Sequence, residues 1–200
     1  MGRSPLVTCN MLALIAMVAV VQDRPNPDWL PVLDAPKNLT YRLALPKPAF
    51  PGQPIILKGK VLKADRKSPV PGMILYFHHT DARGHYPRPS NAGPRSWSYW
   101  HGTLRGWLKT DSMGRYVLST TRPAAYPGRT DPAHIHVYGL PPNSREGIYF
   151  SDFVFRGDPL LTAAYWRTVT SQGGESYGGV QLVRDQNGVW RGDRDLIMPK

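Results

Sequence analysis

Cysteine is almost absent from this sequence, with Cys9 as its only example among 200 residues. Its position near the amino terminus excludes disulfides, thiolate zinc sites and a cysteine nucleophile from the body of the protein. Internal repeats and convincing amphipathic helices are lacking as well. Any metal in the body of the chain must therefore be held by nitrogen and oxygen atoms.

Acidic residues are also scarce, since 14 Asp and Glu stand against 25 Lys and Arg, for a net charge of +11. The basic residues are scattered singly, without a basic helix, a zinc-finger spacing or the aromatic signature of an RNA-binding sheet. No nucleic-acid partner is predicted. The charge instead favours a solvated surface that attracts anionic small molecules or surfaces.

Long hydrophobic runs are limited to residues 11–21, which fall short of the roughly 20 residues that a spanning helix needs. Residues 1–22 resemble a signal peptide and predict export to the periplasm or the extracellular space, without stable membrane insertion after processing. An uncleaved anchor and a buried amino-terminal helix of a cytoplasmic protein are the alternatives.

Proline and glycine are abundant, at 21 and 19 residues, and predict many short strands joined by turns. Residues 23–54 form a proline-rich arm, and residues 55–200 are predicted to form an all-β domain, a β-sandwich. A helical turn is predicted only within residues 160–170. The strands are expected at residues 55–64, 73–78, 107–110, 116–120, 133–139, 148–155, 180–184 and 195–198.

All six histidines lie between residues 78 and 136, and two of them form the pair His134-Ile-His136. In a strand, alternate side chains point to the same face, so both imidazoles would project together and form half of a metal site. For an isolated pair, one core histidine and one exposed histidine is the simpler interpretation. The clustering of all six favours a functional site.

Several motifs follow one another in the order found in intradiol ring-cleavage dioxygenases, over roughly residues 55–198. The chain most resembles the catalytic subunits of protocatechuate 3,4-dioxygenase, a family whose fold is a β-sandwich. The motifs are Pro69-Val-Pro-Gly72, Asp81-Ala-Arg-Gly-His-Tyr86, Arg105-Gly106, Thr110-Asp-Ser-Met-Gly-Arg-Tyr116, Arg122-Pro-Ala-Ala-Tyr-Pro127, Pro132-Ala-His-Ile-His136 and Phe155-Arg-Gly-Asp158.

The resemblance implies that Tyr86, Tyr126, His134 and His136 are the ligands of a non-haem Fe(III), with no organic cofactor. Two phenolates favour the ferric state, and two imidazoles leave positions open for a substrate. The implied reaction cleaves a catechol with O2 between its two hydroxyl-bearing carbons and gives a cis,cis-muconate-type dicarboxylate. Tyr126 would act as an internal base for the protons of the catechol.

Two carboxylates depart from the protocatechuate pattern. Asp131 replaces an arginine just before the Pro-Ala-His-Ile-His motif, and Asp152 replaces a glutamine three residues before Phe155. Because the arginine stabilises negative charge on the substrate, Arg129 is the predicted substitute, while Asp131 is a predicted proton acceptor or partner of His134. Together with Tyr126, these residues are the predicted catalytic positions.

An aromatic loop between Tyr86 and Arg105 is the predicted substrate-binding segment, through Trp97, Tyr99, Trp100 and His101. Its rings suit a phenolic substrate or, equally, a contact between subunits of a homo-oligomer. His78 and His79 stand where Trp-Gln is common in the family and predict a polar lining or hydrogen bonds to the metal ligands. A second metal site is the less favoured alternative. Two other functions stay open: a non-catalytic sandwich that binds a metal or a partner, and a basic sandwich that binds nucleic acid or glycan.

Overall fold

The computed structural model describes residues 27–45 and 50–199, and strands dominate it. Two sheets pack face to face, so the predicted all-β sandwich is confirmed. The predicted signal peptide, residues 1–22, lies outside the described residues. Among the residues described, no helix has the length and apolar character needed to cross a membrane.

The described residues form ten strands, two α-helices and a 3₁₀ helix. The helices are the 3₁₀ helix Leu30–Asp34, α1 (Trp97–His101) and α2 (Ala163–Ser171). The strands are β1 (Arg42–Ala44), β2 (Pro54–Leu62), β3 (Ile74–His79), β4 (Arg105–Lys109), β5 (Arg115–Thr121), β6 (His134–Leu140), β7 (Ile148–Val154), β8 (Val183–Arg184), β9 (Trp190–Asp193) and β10 (Leu196–Ile197).

One sheet has the order β4-β3-β6-β7 and is antiparallel throughout. The other has the order β1-β5-β2-β9-β8, and β10 also pairs with β2. Apolar side chains from the facing sides of both sheets fill the space between them, as the alternation of strand side chains requires. They include Phe77, Ile135, Phe153, Leu57, Tyr116 and Leu118, each fully or almost fully buried.

The same alternation places a row of polar rings on the outer face of the four-stranded sheet. Tyr76 and His78 of β3 lie opposite Tyr138 and His136 of β6, at the same register positions. These side chains point away from the apolar core, because their neighbours along each strand point into it. The outer face of this sheet therefore holds the titratable groups.

The proline-rich arm covers part of this outer face. Val32 of the 3₁₀ helix packs with Tyr76 and Tyr138, and the Trp107 indole N–H donates to the Pro31 carbonyl at 2.7 Å. Farther along, β1 pairs in parallel with β5, so the arm also contributes a strand to the second sheet. Burial of these side chains fixes the arm against the sandwich beside the polar face.

Three local features differ from the sequence expectations. The segment around Trp97 forms the short helix α1, which has no amphipathic pattern and was expected to be a loop. The predicted strand at residues 180–184 is reduced to a single bridge at Val180 and the two residues of β8. Strand β9 was not predicted, because Trp190 is the only apolar side chain in its four residues.

Gly59 of β2 lies against the backbone of Arg194, in the segment before β10. A Cβ at Gly59 would lie 1.8 Å from the Arg194 carbonyl oxygen, which also accepts a hydrogen bond from the Tyr116 hydroxyl. We predict that Gly59→Ala lowers the free energy of unfolding by about 2 kcal/mol or more, because backbone must move. Urea unfolding measures this change. Gly93→Ala, where a Cβ meets nothing within 4 Å, is the control and should shift stability little.

Candidate metal centre

The candidate centre begins with His134 and His136, which lie on the outer face of β6. Their Nε2 atoms are 3.1 Å apart. His134 is mostly buried, and burial lowers its pKa, so the ring is neutral at ordinary pH. The strand alternation inferred from the His-Ile-His spacing is therefore present in the structure, and both imidazoles face one point.

Hydrogen bonds on the far side of each ring fix which nitrogen carries the proton. His134 Nδ1 lies 2.7 Å from the Pro132 carbonyl oxygen, and His136 Nδ1 lies 3.0 Å from Asp152 Oδ1. Both oxygens accept hydrogen bonds, so both Nδ1 atoms carry hydrogen and both Nε2 atoms present lone pairs. Two lone pairs that face each other at 3.1 Å repel, and a cation bound by both removes that repulsion. The donor arrangement therefore fits a metal ion.

A β-bulge in β7 brings Asp152 to His136. Val137 pairs with Phe150 and Ile135 pairs with Phe153, so two residues of β7 lie opposite the single residue His136. Bulges of this kind redirect a side chain next to a functional site. The Tyr177 hydroxyl at 2.8 Å and the Arg194 guanidinium at 2.9 Å both donate to the Asp152 carbonyl and hold the bulge.

Asp152 acts on His136 rather than completing the ligand set. Donor atoms of His134, His136 and Asp152 lie within 4.8 Å of one another, which is close enough for a shared ion. The contact of Asp152 Oδ1 is nevertheless to Nδ1, on the opposite edge of the ring from Nε2. Burial alone would raise the pKa of Asp152, but its interactions with His136, His134 and Tyr149 outweigh burial and lower it. A carboxylate thus orients the imidazole.

Two phenol groups complete the centre. Tyr86 Oη lies 2.8 Å from Tyr126 Oη, and Tyr126 Oη lies 3.3 Å from His136 Nε2. Burial raises the pKa of both tyrosines, so both phenols are protonated without a neighbouring cation. A bound cation reverses this effect and favours the phenolates. The four predicted ligands, Tyr86, Tyr126, His134 and His136, are therefore brought together.

The loop before Tyr86 and the loop before Tyr126 are hydrogen-bonded to each other. The Ala124 N–H donates to the Asp81 carbonyl at 3.0 Å, and the Thr80 hydroxyl donates to the Ala124 carbonyl at 2.8 Å. Gly84 has a φ of +82°, and a Cβ there would lie 2.0 Å from the Ala125 carbonyl oxygen. Only glycine permits this close approach, which sets the position of one phenol relative to the other.

A cavity of about 850 Å³ opens beside these ligands. Of the predicted substrate-binding residues, Trp100 and His101 line it, as does the predicted catalytic Arg129. Trp97 and Tyr99 are not among its lining residues. The full lining is Asp28, His78, Gly84, His85, Tyr86, Arg88, Trp100, His101, Tyr126, Pro127, Arg129, His136 and Tyr138.

Trp97 and Tyr99 contact two residues that line the cavity, His101 and Arg88. The Trp97 ring centroid is 4.9 Å from that of His101, and the Arg88 guanidinium lies 4.1 Å from the Tyr99 ring centroid. A cation over an aromatic face is attracted to it, so Tyr99 fixes the position of Arg88. These two predicted residues therefore act on residues of the lining.

Asp131 lies on a different cavity. This second cavity, of about 590 Å³, is formed between α2 and the sheet, and Asp152 also lines it. Asp131 is exposed and does not line the larger cavity. The two carboxylates that depart from the protocatechuate pattern thus border one cavity. Asp152 hydrogen-bonds to a candidate ligand, whereas Asp131 acts on Tyr126 and His134 through its charge. The remaining lining residues are Thr130, Tyr149, Leu160, Thr162, Ala164, Tyr165, Thr168, Val169 and Gln172.

His78 and His79 have different environments, which the sequence does not distinguish. His79 is a core histidine, with Nδ1 2.7 Å from the Thr80 carbonyl oxygen and Nε2 2.8 Å from the Thr120 hydroxyl. His78 lies on the outer face, and its ring stacks on His101 at 3.7 Å and on His136 at 4.4 Å. Side chains alternate between the two faces of β3, so His78 shares the outer face with Tyr76 while His79 points into the core. This alternation is the signal that could have distinguished the two histidines from the sequence.

The fold and the site define a β-sandwich with a candidate mononuclear metal centre built from two imidazoles and two phenols. A family model described as Dioxygenase matches residues 27–173, which is more than half of the chain. The chain belongs to the intradiol ring-cleavage dioxygenase family. This membership agrees with the ordered motifs in the sequence.

Individual relatives support the same family. The chain is 28% identical over 124 residues to catechol 1,2-dioxygenase 1 of Acinetobacter lwoffii, and the match covers 54% of this chain. It spans only 38% of the length of that relative. The dioxygenase domain of a dioxygenase and carbohydrate-binding fusion from Streptomyces sp. SirexAA-E superposes with a TM-score of 0.56 at 24% identity, covering 82% of this chain and 90% of that one.

Catechol 1,2-dioxygenase from Acinetobacter sp. ADP1 has a TM-score of 0.59 at 20% identity, with coverage of 83% of this chain and 59% of the other. An intradiol ring-cleavage dioxygenase from the mite Tetranychus urticae has a TM-score of 0.54 at 16% identity, with coverage of 81% and 88%. At these identities the structural likeness shows the shared fold alone.

Gly84 offers a test of how the two tyrosine loops build the centre. We predict that Gly84→Ala reduces the iron bound after ferric reconstitution severalfold, because its Cβ would push the Tyr86 loop away from the Tyr126 loop. The measurement is the iron-to-protein ratio of the dialysed variant. Gly173→Ala is the matched control, since Gly173 has a φ of +80° but open space around its Cβ position. Equal iron loading of both variants would contradict the prediction.

Proposed function

We propose that the protein is a non-haem Fe(III) dioxygenase that cleaves a catechol-type ring between its two hydroxyl-bearing carbons. Both atoms of O2 enter the product, a cis,cis-muconate-type dicarboxylate. The observation that supports this most directly is the convergence of two phenol oxygens and two imidazole nitrogens. Three of these four residues, Tyr86, Tyr126 and His136, line one cavity. Family membership and the catechol enzymes among the relatives point to the same chemistry.

The donor set suits ferric iron. Tyr86, Tyr126, His134 and His136 would hold the ion, and two anionic phenolates with two neutral imidazoles favour Fe(III) over softer ions. When bound, the iron would bring catechol and O2 together and make the ring reactive toward oxygen. The carboxylate of Asp152 makes the His136 imidazole a stronger donor through its Nδ1–H.

Residues of the chain would control the charges and protons of the substrate. Tyr126 lines the cavity, so its phenolate is placed to accept a proton from a catechol hydroxyl. The Arg129 guanidinium also lines the cavity, 6.0 Å from the Tyr126 ring centroid, and would stabilise negative charge on the ionised catechol. Asp131 borders the other cavity, and we therefore propose no substrate contact for it.

Iron content, the visible spectrum and O2 uptake together test the proposal. The iron-loaded protein should show a phenolate-to-iron charge-transfer colour that moves to longer wavelength when catechol is added without oxygen. Oxygen should then be consumed in proportion to catechol, with a dicarboxylate as product. A protein that stays colourless after ferric reconstitution would support the alternative of a non-catalytic binding sandwich. Export and homo-oligomer formation stay predictions from the sequence.

Tyr126 is predicted to be a ligand and a base at once. Tyr126→Phe should retain part of the iron, because three donors remain, while its charge-transfer band shifts and kcat falls by roughly 100-fold or more. Absorption spectra and O2 uptake provide the measurement. Tyr41→Phe, which removes a hydroxyl from the residue just before β1, should leave both unchanged. An unaltered spectrum in Tyr126→Phe would remove Tyr126 from the ligand set.

Asp152 is predicted to strengthen metal binding without touching the metal. Asp152→Asn keeps the shape of the side chain but removes the charge that acts on His136 Nδ1–H, so iron affinity should fall about 10- to 100-fold. Competition with a chelator measures this affinity. Asp131→Asn makes the same charge change on the same cavity, but Asp131 acts on His134 and Tyr126 only through its charge, without a hydrogen bond to an imidazole. Equal losses in both variants would show that overall charge, and not ring orientation, is responsible.

A further inference from the structure

Strand β7 forms one edge of the four-stranded sheet, and its bulge lies at that edge. Within the part of the chain that the structure describes, no strand pairs along the outer side of β7, and a single bridge joins Phe155, just past its end, to Val180. Backbone groups at such an edge need other partners. The bulge carries Asp152, whose carboxylate contacts His136, so the residues that pair with this edge act on the metal centre.

The hydroxyl of Tyr177 pairs with two backbone groups of this edge. It accepts a hydrogen bond from the Val154 N–H at 2.6 Å and donates one to the Asp152 carbonyl at 2.8 Å. These groups belong to alternate residues of β7, so the hydroxyl takes the place that a neighbouring strand would occupy. Burial raises the pKa of Tyr177 to about 12, so the oxygen keeps the hydrogen that it donates. One side-chain oxygen therefore spans the bulge.

Arg194 holds the Tyr177 ring in this position. Its guanidinium carbon lies 3.6 Å from the Tyr177 ring centroid and 4.7 Å from that of Phe153, and the guanidinium also donates to the Asp152 carbonyl at 2.9 Å. Arg194 is 8% exposed and makes no ion pair with any residue that the structure describes. A buried charge without a counter-ion calls for an explanation from its other contacts. Those contacts converge on the bulge.

We propose that Tyr177 is a positioning residue of the metal centre, which acts through the main chain of the bulge to place the Asp152 carboxylate and thereby orients His136. The contacts are continuous, since the Tyr177 hydroxyl meets the Asp152 carbonyl at 2.8 Å and Asp152 Oδ1 meets His136 Nδ1 at 3.0 Å. Tyr177 does not line the cavity of about 850 Å³, so its effect on the metal is indirect. This inference rests on the proposed function, because it takes His136 as an iron ligand.

The first measurement needs no metal and follows the ring proton of His136 by NMR, in the metal-free full chain labelled with nitrogen-15 histidine. A ring N–H held by a carboxylate exchanges slowly with water, and Asp152→Asn assigns the His136 signal by shifting it. Tyr177→Phe should shift this signal and speed its exchange severalfold, because the bulge loses a partner. The Nδ1–H of His134, held by the Pro132 carbonyl, is the internal control and should not change.

The second measurement is iron affinity, from competition with a chelator. Tyr177→Phe should bind iron roughly 3- to 10-fold more weakly, a smaller loss than in Asp152→Asn because the carboxylate remains. Thr110→Val is the matched control. Its buried hydroxyl also joins two backbone groups, the Met73 N–H at 2.9 Å and the Val70 carbonyl at 2.8 Å, but beyond the end of β4 farther from the centre. Both variants should lower the melting temperature by about 2–6 °C, and only Tyr177→Phe should weaken iron binding.

A double variant tests the route. If Tyr177 acts through Asp152, combining Asp152→Asn with Tyr177→Phe should weaken iron binding no further than Asp152→Asn alone. Additive losses would overturn the inference, as would an unchanged His136 signal in Tyr177→Phe or an equal loss of affinity in Thr110→Val. A wild-type protein that binds no ferric iron would instead refute the proposed function, and the ring-proton measurement would still decide whether Tyr177 positions His136.

Discussion

The orientation of two imidazole rings is the constraint on which the rest of this site depends. Each ring is held at Nδ1 by an oxygen acceptor, so the two Nε2 lone pairs face each other at 3.1 Å. That arrangement is unfavourable by itself and becomes favourable when a cation lies between the nitrogens. The phenols of Tyr86 and Tyr126 supply the anionic donors that a highly charged ion requires. The fold must therefore hold the two imidazoles against the repulsion of their lone pairs.

Long-range packing supplies that rigidity. Strand β6, which carries both histidines, is an inner strand of its sheet and pairs with β3 on one side and β7 on the other. The bulge in β7 brings Asp152 to His136, and Arg194 holds the bulge at the Asp152 carbonyl. Arg194 is itself fixed by the close approach of its carbonyl to Gly59 of the second sheet. The position of the imidazoles thus depends on contacts that cross the whole sandwich.

Sequence reasoning captured the parts of this arrangement that follow from local periodicity. The common face of His134 and His136 follows from strand alternation alone, and the β-sandwich follows from short strands between glycine and proline turns. The two tyrosines became candidates only through a family resemblance, because their loops meet by a contact between Gly84 and Ala125 that is distant in sequence. The bulge at Asp152, the helix α1 and the separation of Asp131 from the larger cavity depend on tertiary packing, which leaves no local pattern.

Side chains in unfavourable electrostatic environments are concentrated on the outer face of the four-stranded sheet. The lone pairs of two histidines oppose each other, burial raises the pKa of two phenols, and both nitrogens of His78 lack partners among the described residues. The inner face of the same strands is almost entirely apolar and closely packed, and its burial offsets these costs. Natural proteins retain such local conflicts at functional sites. A cation at the four donors would remove the repulsion between the lone pairs and favour the phenolates, which is why the geometry defines a metal site.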